Sequence, residues 1–179
     1  WGRSGMEYDL KIVGGTIVDG TGNEGYRGDL GIRGGRVVAL GEAKGEAART
    51  MDAGGLVVCP GFVDIHTHYD AQVLWDRMVT ISPWHGVTTA VMGNCGVGFA
   101  PCRAEDRDRL IRLMEGVEDI PFPVLSTGLP WNWESFPDYL DSLSEKSFDI
   151  DFAAQLPHAA LRVFVMGERG ANREDATPE

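Results

Sequence analysis

The stretch Gly61-Phe62-Val63-Asp64-Ile65-His66-Thr67-His68-Tyr69-Asp70 decides how the rest of the chain is read. An apolar run ends in two histidines separated by one residue. Along a strand, side chains at i and i+2 leave the same face, with Cα atoms roughly 7 Å apart. Two imidazoles so placed can converge on one ion, and imidazole suits zinc and related divalent metals.

Downstream of Pro60 the pattern alternates between strands and helices. Strands are predicted over Gly61–His66, Thr88–Asn94, Phe122–Thr127 and Asp151–Leu156. Ala104–Val117 reads as a helix, with Leu110, Ile111, Leu113, Met114 and Val117 as an apolar stripe. Glu105/Arg109 and Asp108/Arg112 are spaced to pair on its solvent face. Phe136–Leu143 reads as a second, shorter helix. Alternating β and α units imply parallel strands with helices outside. With motifs at strand C-terminal ends, the expectation is an α/β fold: a partial (β/α)8 TIM-type barrel of about four strand–helix units over 59–179.

Upstream, Leu10–Val13 and Thr16–Asp19 flank Gly14-Gly15, and Leu30–Arg33 and Arg36–Leu40 flank Gly34-Gly35. Both are two-residue hairpin signals. Residues 6–58 are therefore expected to form a small antiparallel β-sandwich-like domain. Residues 1–5 precede Met6 and read as a cloning scar or upstream read-through. A full barrel takes about 250 residues, whereas fewer than 125 follow Pro60. Thr177-Pro178-Glu179 has the form of a helix start, with an N-cap, a first-turn proline and an acid matched to the dipole. The expectation is an N-terminal fragment of a longer enzyme.

Composition narrows the function classes. The 179 residues are 43% hydrophobic, enough for a folded core. A formal net charge of −11 disfavours nucleic acid and anionic membranes as partners. No stretch approaches the ~18 apolar residues of a membrane span. The three cysteines and the lack of a basic, apolar leader predict free thiols in a reducing, cytoplasmic setting. The 24 glycines are spread among turns.

The segment Leu56-Val57-Val58-Cys59-Pro60-Gly61-Phe62-Val63-Asp64-Ile65-His66-Thr67-His68-Tyr69-Asp70 resembles the P-G-F-x-D-x-H-x-H signature of the amidohydrolase superfamily. Gly86–Pro101, with Gly93-Asn94-Cys95-Gly96 at its centre, resembles the second barrel strand of the N-acyl-D-amino-acid deacylase, or D-aminoacylase, branch. Trp131–Leu140 and His158–Arg162 fit the same branch, so the resemblance runs from about Tyr8 to Glu179. It implies that His66 and His68 are metal ligands and that Cys95 joins them as a thiolate, with one or two zinc ions per complete protein. It implies two further histidines and a catalytic aspartate beyond Glu179, so no catalytic residue is assigned within this chain. The implied reaction is hydrolysis of an N-acyl-D-amino acid, a small-molecule substrate, by metal-activated water. An oligomer is compatible with all of this.

Other residues have lesser or alternative roles. His158 follows the predicted fourth strand on the catalytic side and is a candidate for substrate or metal contact, although Pro157 stands where the family often has glycine. Asp70 is either a carboxylate that holds a ligand imidazole in one tautomer or a plain loop residue. Asp64 alternates away from the histidines and should face the helices. Trp131 and Trp133 suit either a pocket for an apolar group or packing. Cys59 reads as core, Cys102 as incidental, and His85 as structural.

One alternative is a cyclic-amide hydrolase of the dihydroorotase and hydantoinase kind. That kind carries a carbamylated lysine at the end of the fourth strand. Lys11, Lys44 and Lys146 all lie away from Leu156–His158. Another alternative is a non-catalytic binding protein on the same fold. The 179-residue chain by itself is expected to be inactive and poorly soluble or oligomeric.

Overall fold

The computed structural model describes residues 6–178; the Trp1–Gly5 reading and Glu179 of the helix-start motif lie outside them. The chain divides into two compact units, one ending at Pro60 and one beginning at Gly61.

In the first unit, Gly14-Gly15 does not turn the chain. β1 runs unbroken over Tyr8–Ile17 and pairs antiparallel with β2, Tyr26–Arg33. Between the Ile12–Leu30 and Gly15–Gly28 pairs β1 carries one extra residue, a β-bulge. Gly14 adopts φ +71° there and donates its N–H to the Asp29 carboxylate at 2.9 Å. The second glycine pair behaves as expected. Arg33 pairs with Arg36, and Gly34 and Gly35, both at positive φ, turn the chain into β3, Arg36–Gly41. β4, Ala47–Asp52, and β5, Val57–Val58, then pair with β1 in parallel, one after the other along the same edge. The unit is therefore one mixed five-stranded sheet, antiparallel only through β1–β3. Residues 42–46 carry the chain from β3 to the other edge of β1, so β4 runs parallel to β1 where an antiparallel domain was expected. Cys59, expected in the core, is exposed.

In the second unit β6, Phe62–Asp64, β7, Val87–Met92, and β8, Asp151–Ala154, form a three-stranded parallel sheet in chain order. α1 spans Arg107–Glu118 after a 3-10 turn at Ala104–Asp106. Its Leu110, Ile111 and Met114 are buried, while Leu113 and Val117 are exposed, so the apolar stripe is narrower than predicted. Arg109 pairs with Asp106 at 2.9 Å in place of Glu105. Arg112 lies over the Phe122 ring.

The predicted strand over 122–127 is a helix, α2, Phe122–Gly128. Pro121 precedes it and Pro123 sits in its first turn, where the missing N–H has no intrahelical partner to lose. Leu125 is buried beneath it. α3, Phe136–Ser144, follows the expected span and starts with a reciprocal Ser135–Asp138 capping box. α4, His158–Met166, and α5, Glu168–Ala171, follow β8. The core of this unit gathers Met92, Phe99, Ile111, Met114, Leu125 and Tyr139. Trp133 is packed into it, and its indole N–H donates to the Phe99 carbonyl at 2.7 Å. Trp131 stacks beside it, with the Arg107 guanidinium over its ring. Both tryptophans serve packing.

The helix at 122–128 makes β8 the third strand of its sheet rather than the fourth. The absence of lysine near Leu156–His158 therefore says nothing about a carbamylated lysine on a fourth strand.

Candidate metal centre

β6 ends at Asp64, two residues short of the expectation, so the histidines belong to the turn that leaves the strand. Alternation in fact puts residues 64, 66 and 68 on one face, contrary to the expectation for Asp64, whose carboxylate accepts the His66 backbone N–H at 3.1 Å. Thr67, buried between the histidines, is fastened to the end of β7, where its N–H and its hydroxyl both donate to the Val91 carbonyl at 2.9 Å. This fixes the backbone from which both imidazoles emerge, and their ring centres lie 5.4 Å apart.

β7 delivers the third group. After Met92 the chain makes a tight turn in which Gly93, Cys95 and Gly96 all have positive φ. A Cβ at Gly93 would stand 2.2 Å from the Gln155 carbonyl oxygen, so only glycine fits there. Cys95 itself, at φ 53° and ψ 12°, occupies a region costly for a residue with a side chain. Its thiol is exposed, and its sulfur lies 3.2 Å from His66 Nε2. One donor atom from each of His66, His68 and Cys95 falls within 4.8 Å of the others.

These residues fit a zinc ion. With Zn–N near 2.0–2.1 Å and Zn–S near 2.3 Å, donors round a tetrahedral zinc stand roughly 3.3–3.6 Å apart. The observed spacing reaches that with small side-chain rotations. His68 Nδ1 is buried without a hydrogen-bond partner, which leaves a ring nitrogen unsatisfied in the absence of an ion.

Asp70 is buried, but it does not orient an imidazole through any hydrogen bond. Its carboxylate accepts the Gly93 N–H at 3.1 Å, and its carbonyl accepts the Tyr139 hydroxyl at 2.8 Å. Burial raises its pKa to about 6, opposed by the Gly93 hydrogen bond. Asp70 thus braces the turn that carries Cys95. The same burial holds the Tyr139 phenol well above its usual range.

His158 stands outside the cluster of His66, His68 and Cys95, exposed on the first turn of α4. With Cys95, Leu113, Arg162 and Arg173 it borders a cleft of about 620 Å³. His85 lies before β7, and its Nδ1 is 2.8 Å from the Ile81 carbonyl, a local structural contact. Cys102 is buried, and burial followed by the charge of Asp106 pushes its thiol up to about 12.

Three participants have no role in the sequence reading: Thr67, Asn94 and Gln155. Asn94 stands inside the G-N-C-G motif, which marks the segment without revealing what the amide does. Nothing local marks Gln155.

Residues 49–179 match the amidohydrolase family, and the chain belongs to it. Over 171 residues it is 39% identical to D-aminoacylase of Alcaligenes xylosoxydans xylosoxydans, an alignment covering 94% of this chain and 33% of that protein. It superposes with TM-score 0.71 and 34% identity on N-acyl-D-glutamate deacylase of Bordetella bronchiseptica, solved with zinc and a phosphonate mimic of the tetrahedral intermediate; 89% of this chain and 31% of that one align. It also superposes with TM-score 0.73 and 36% identity on a D-aminoacylase structure describing a binuclear metal centre, over 89% and 31% of the two chains. The chain spans about a third of the length of these relatives.

Proposed function

We propose that the complete protein is a zinc-dependent hydrolase of linear amides that deacylates N-acyl-D-amino acids. The observation that carries this reading is the convergence of His66, His68 and Cys95 at the ends of neighbouring parallel strands. The likeness to deacylases that share the amide substrate class supports it. His66, His68 and Cys95 would hold one or two ions together with ligands supplied by sequence outside this chain. A zinc ion bound there would lower the pKa of a bound water towards about 7 and polarise the amide carbonyl. The chain's own residues present the imidazoles and the thiol, while Asp70 braces the Cys95 turn. His158 and Arg162 border the cleft beside that turn, a suitable wall for an anionic substrate.

β6, β7 and β8 are, in this reading, the first three strands of a (β/α)8 barrel. Their parallel order supports it, as does the emergence of His66, Cys95 and His158 after their C-terminal ends. Residues 59–179 would be its opening part, and 6–58 a separate β-domain. The three free thiols support a reducing, cytoplasmic setting.

The test is zinc content per chain for the protein expressed from its natural start to its natural stop, compared with Cys95→Ala. The same samples are assayed on N-acyl-D-amino acids, their L-enantiomers and cyclic amides. Zinc lost with Cys95 together with D-selective deacylation is the expected result. Turnover of cyclic amides alone would replace this reading with that of a cyclic-amide hydrolase of the dihydroorotase and hydantoinase kind. Metal-free protein would leave a non-catalytic role.

A further inference from the structure

The geometry points to Asn94 as the residue that positions Cys95 against the two histidines, an inference that rests on the metal reading above. Its carboxamide is buried and ties together the segments that leave all three strands. The amide nitrogen donates to the Val91 carbonyl at 2.8 Å and to the Thr67 carbonyl at 3.2 Å. The amide oxygen accepts from Gln155 Nε2 at 3.3 Å.

Thr67 lies between the two histidines, and Asn94 precedes Cys95. One planar group therefore spans from the histidine backbone to the thiol-bearing turn, and Gln155 holds it from the β8 side. A buried amide with each hydrogen on an acceptor is rigid and costly to disturb. That rigidity is what a residue in the left-handed region needs, because Cys95 would relax from its strained backbone if the turn loosened. Asn94 touches neither imidazole ring nor sulfur through a hydrogen bond, so it is a positioning residue rather than a catalytic one.

The alternative is that Asn94 only packs the turn. Metal affinity separates the two roles. Asn94→Ala and Gln155→Ala are made in the protein expressed from natural start to natural stop. Zinc affinity is read by competition with a chelator, and cobalt(II) substitution reports the thiolate-to-metal charge-transfer band. Asn94→Ala is expected to weaken zinc binding about 10–100-fold and to shift or weaken the cobalt band. Gln155→Ala, at an exposed residue, is expected to weaken binding several-fold, roughly the low end of that range, while leaving the metal-free melting temperature unchanged. Affinity and band unaltered in both variants would overturn the inference while leaving the metal site intact. If Asn94→Ala fails to fold, Gln155→Ala decides alone. Zinc absent from the unsubstituted protein overturns the metal reading and this inference together.

Discussion

Cys95 holds an unfavourable backbone conformation for a side chain that is exposed and contributes little packing. The left-handed region costs a residue with a Cβ about 1–2 kcal/mol relative to glycine, and the greater freedom of glycine in the unfolded chain returns roughly 0.5–1 kcal/mol of that. Cys95→Gly should therefore leave the metal-free protein as stable as before, or up to about 1.5 kcal/mol more stable, while its zinc content falls. Urea unfolding of metal-free samples beside elemental analysis checks both halves; a clear loss of stability would mean the side chain is structural. The thiols should also separate by reactivity. Alkylation mapped by mass spectrometry is expected at Cys59 and Cys95, both exposed, and not at Cys102, whose proton stays on through pH 9 because its pKa is near 12. Zinc should protect Cys95 and leave Cys59 reactive. The His66/His68 pair was legible from its i, i+2 spacing, whereas Cys95 was marked only by the resemblance of Gly93-Asn94-Cys95-Gly96 to the deacylase branch. Asn94 and Gln155 were not legible, because their roles depend on partners 27 and 61 residues away.

Two Gly-Gly pairs with the same hairpin signal took different paths, and the reason lies in neighbours. Gly34-Gly35 closes a two-residue turn whose register allows nothing else, whereas Gly14 finds the Asp29 carboxylate and Gly15 faces Val58 so closely that a Cβ would meet its methyl at 2.6 Å. Gly15→Val is expected to destabilise by roughly 1–3 kcal/mol through overpacking, read as a lower urea midpoint. The error over 122–127 has a comparable origin. A short apolar run carries no period that separates strand from helix, and the prolines at 121 and 123 suit the first turn of a helix as well as they suit a break. The spans of α1 and α3 were readable because amphipathic spacing and a serine–aspartate cap state the element outright. Ser135→Ala should cost about 1 kcal/mol, with the loss seen in equilibrium unfolding and absent from zinc affinity.

Across the whole molecule, apolar side chains lie open on both units: Val37, Leu40 and Val57 on one, Phe62, Val63 and Ile65 on the other. Isolated exposed residues of this kind are ordinary, but several on one sheet, next to unpaired strand edges, favour association. The 179-residue chain alone should therefore scatter light as a species heavier than its 19.5 kDa, and Val63→Lys with Ile65→Lys should reduce that mass. A monodisperse monomer would contradict this. The mixed pairing of the first sheet was not visible in the sequence, since strand direction is set by where a connection travels rather than by what the strand contains. The separation between His66 and Cys95 is 29 residues, and it has a kinetic meaning. The entropy of closing a loop grows only with the logarithm of its length, and pairings close in sequence are made first. A metal that held His66 and Cys95 together would close that span itself, offsetting the slow pairing of parallel strands, and so would serve as a template for β6 and β7 before it serves as a reagent.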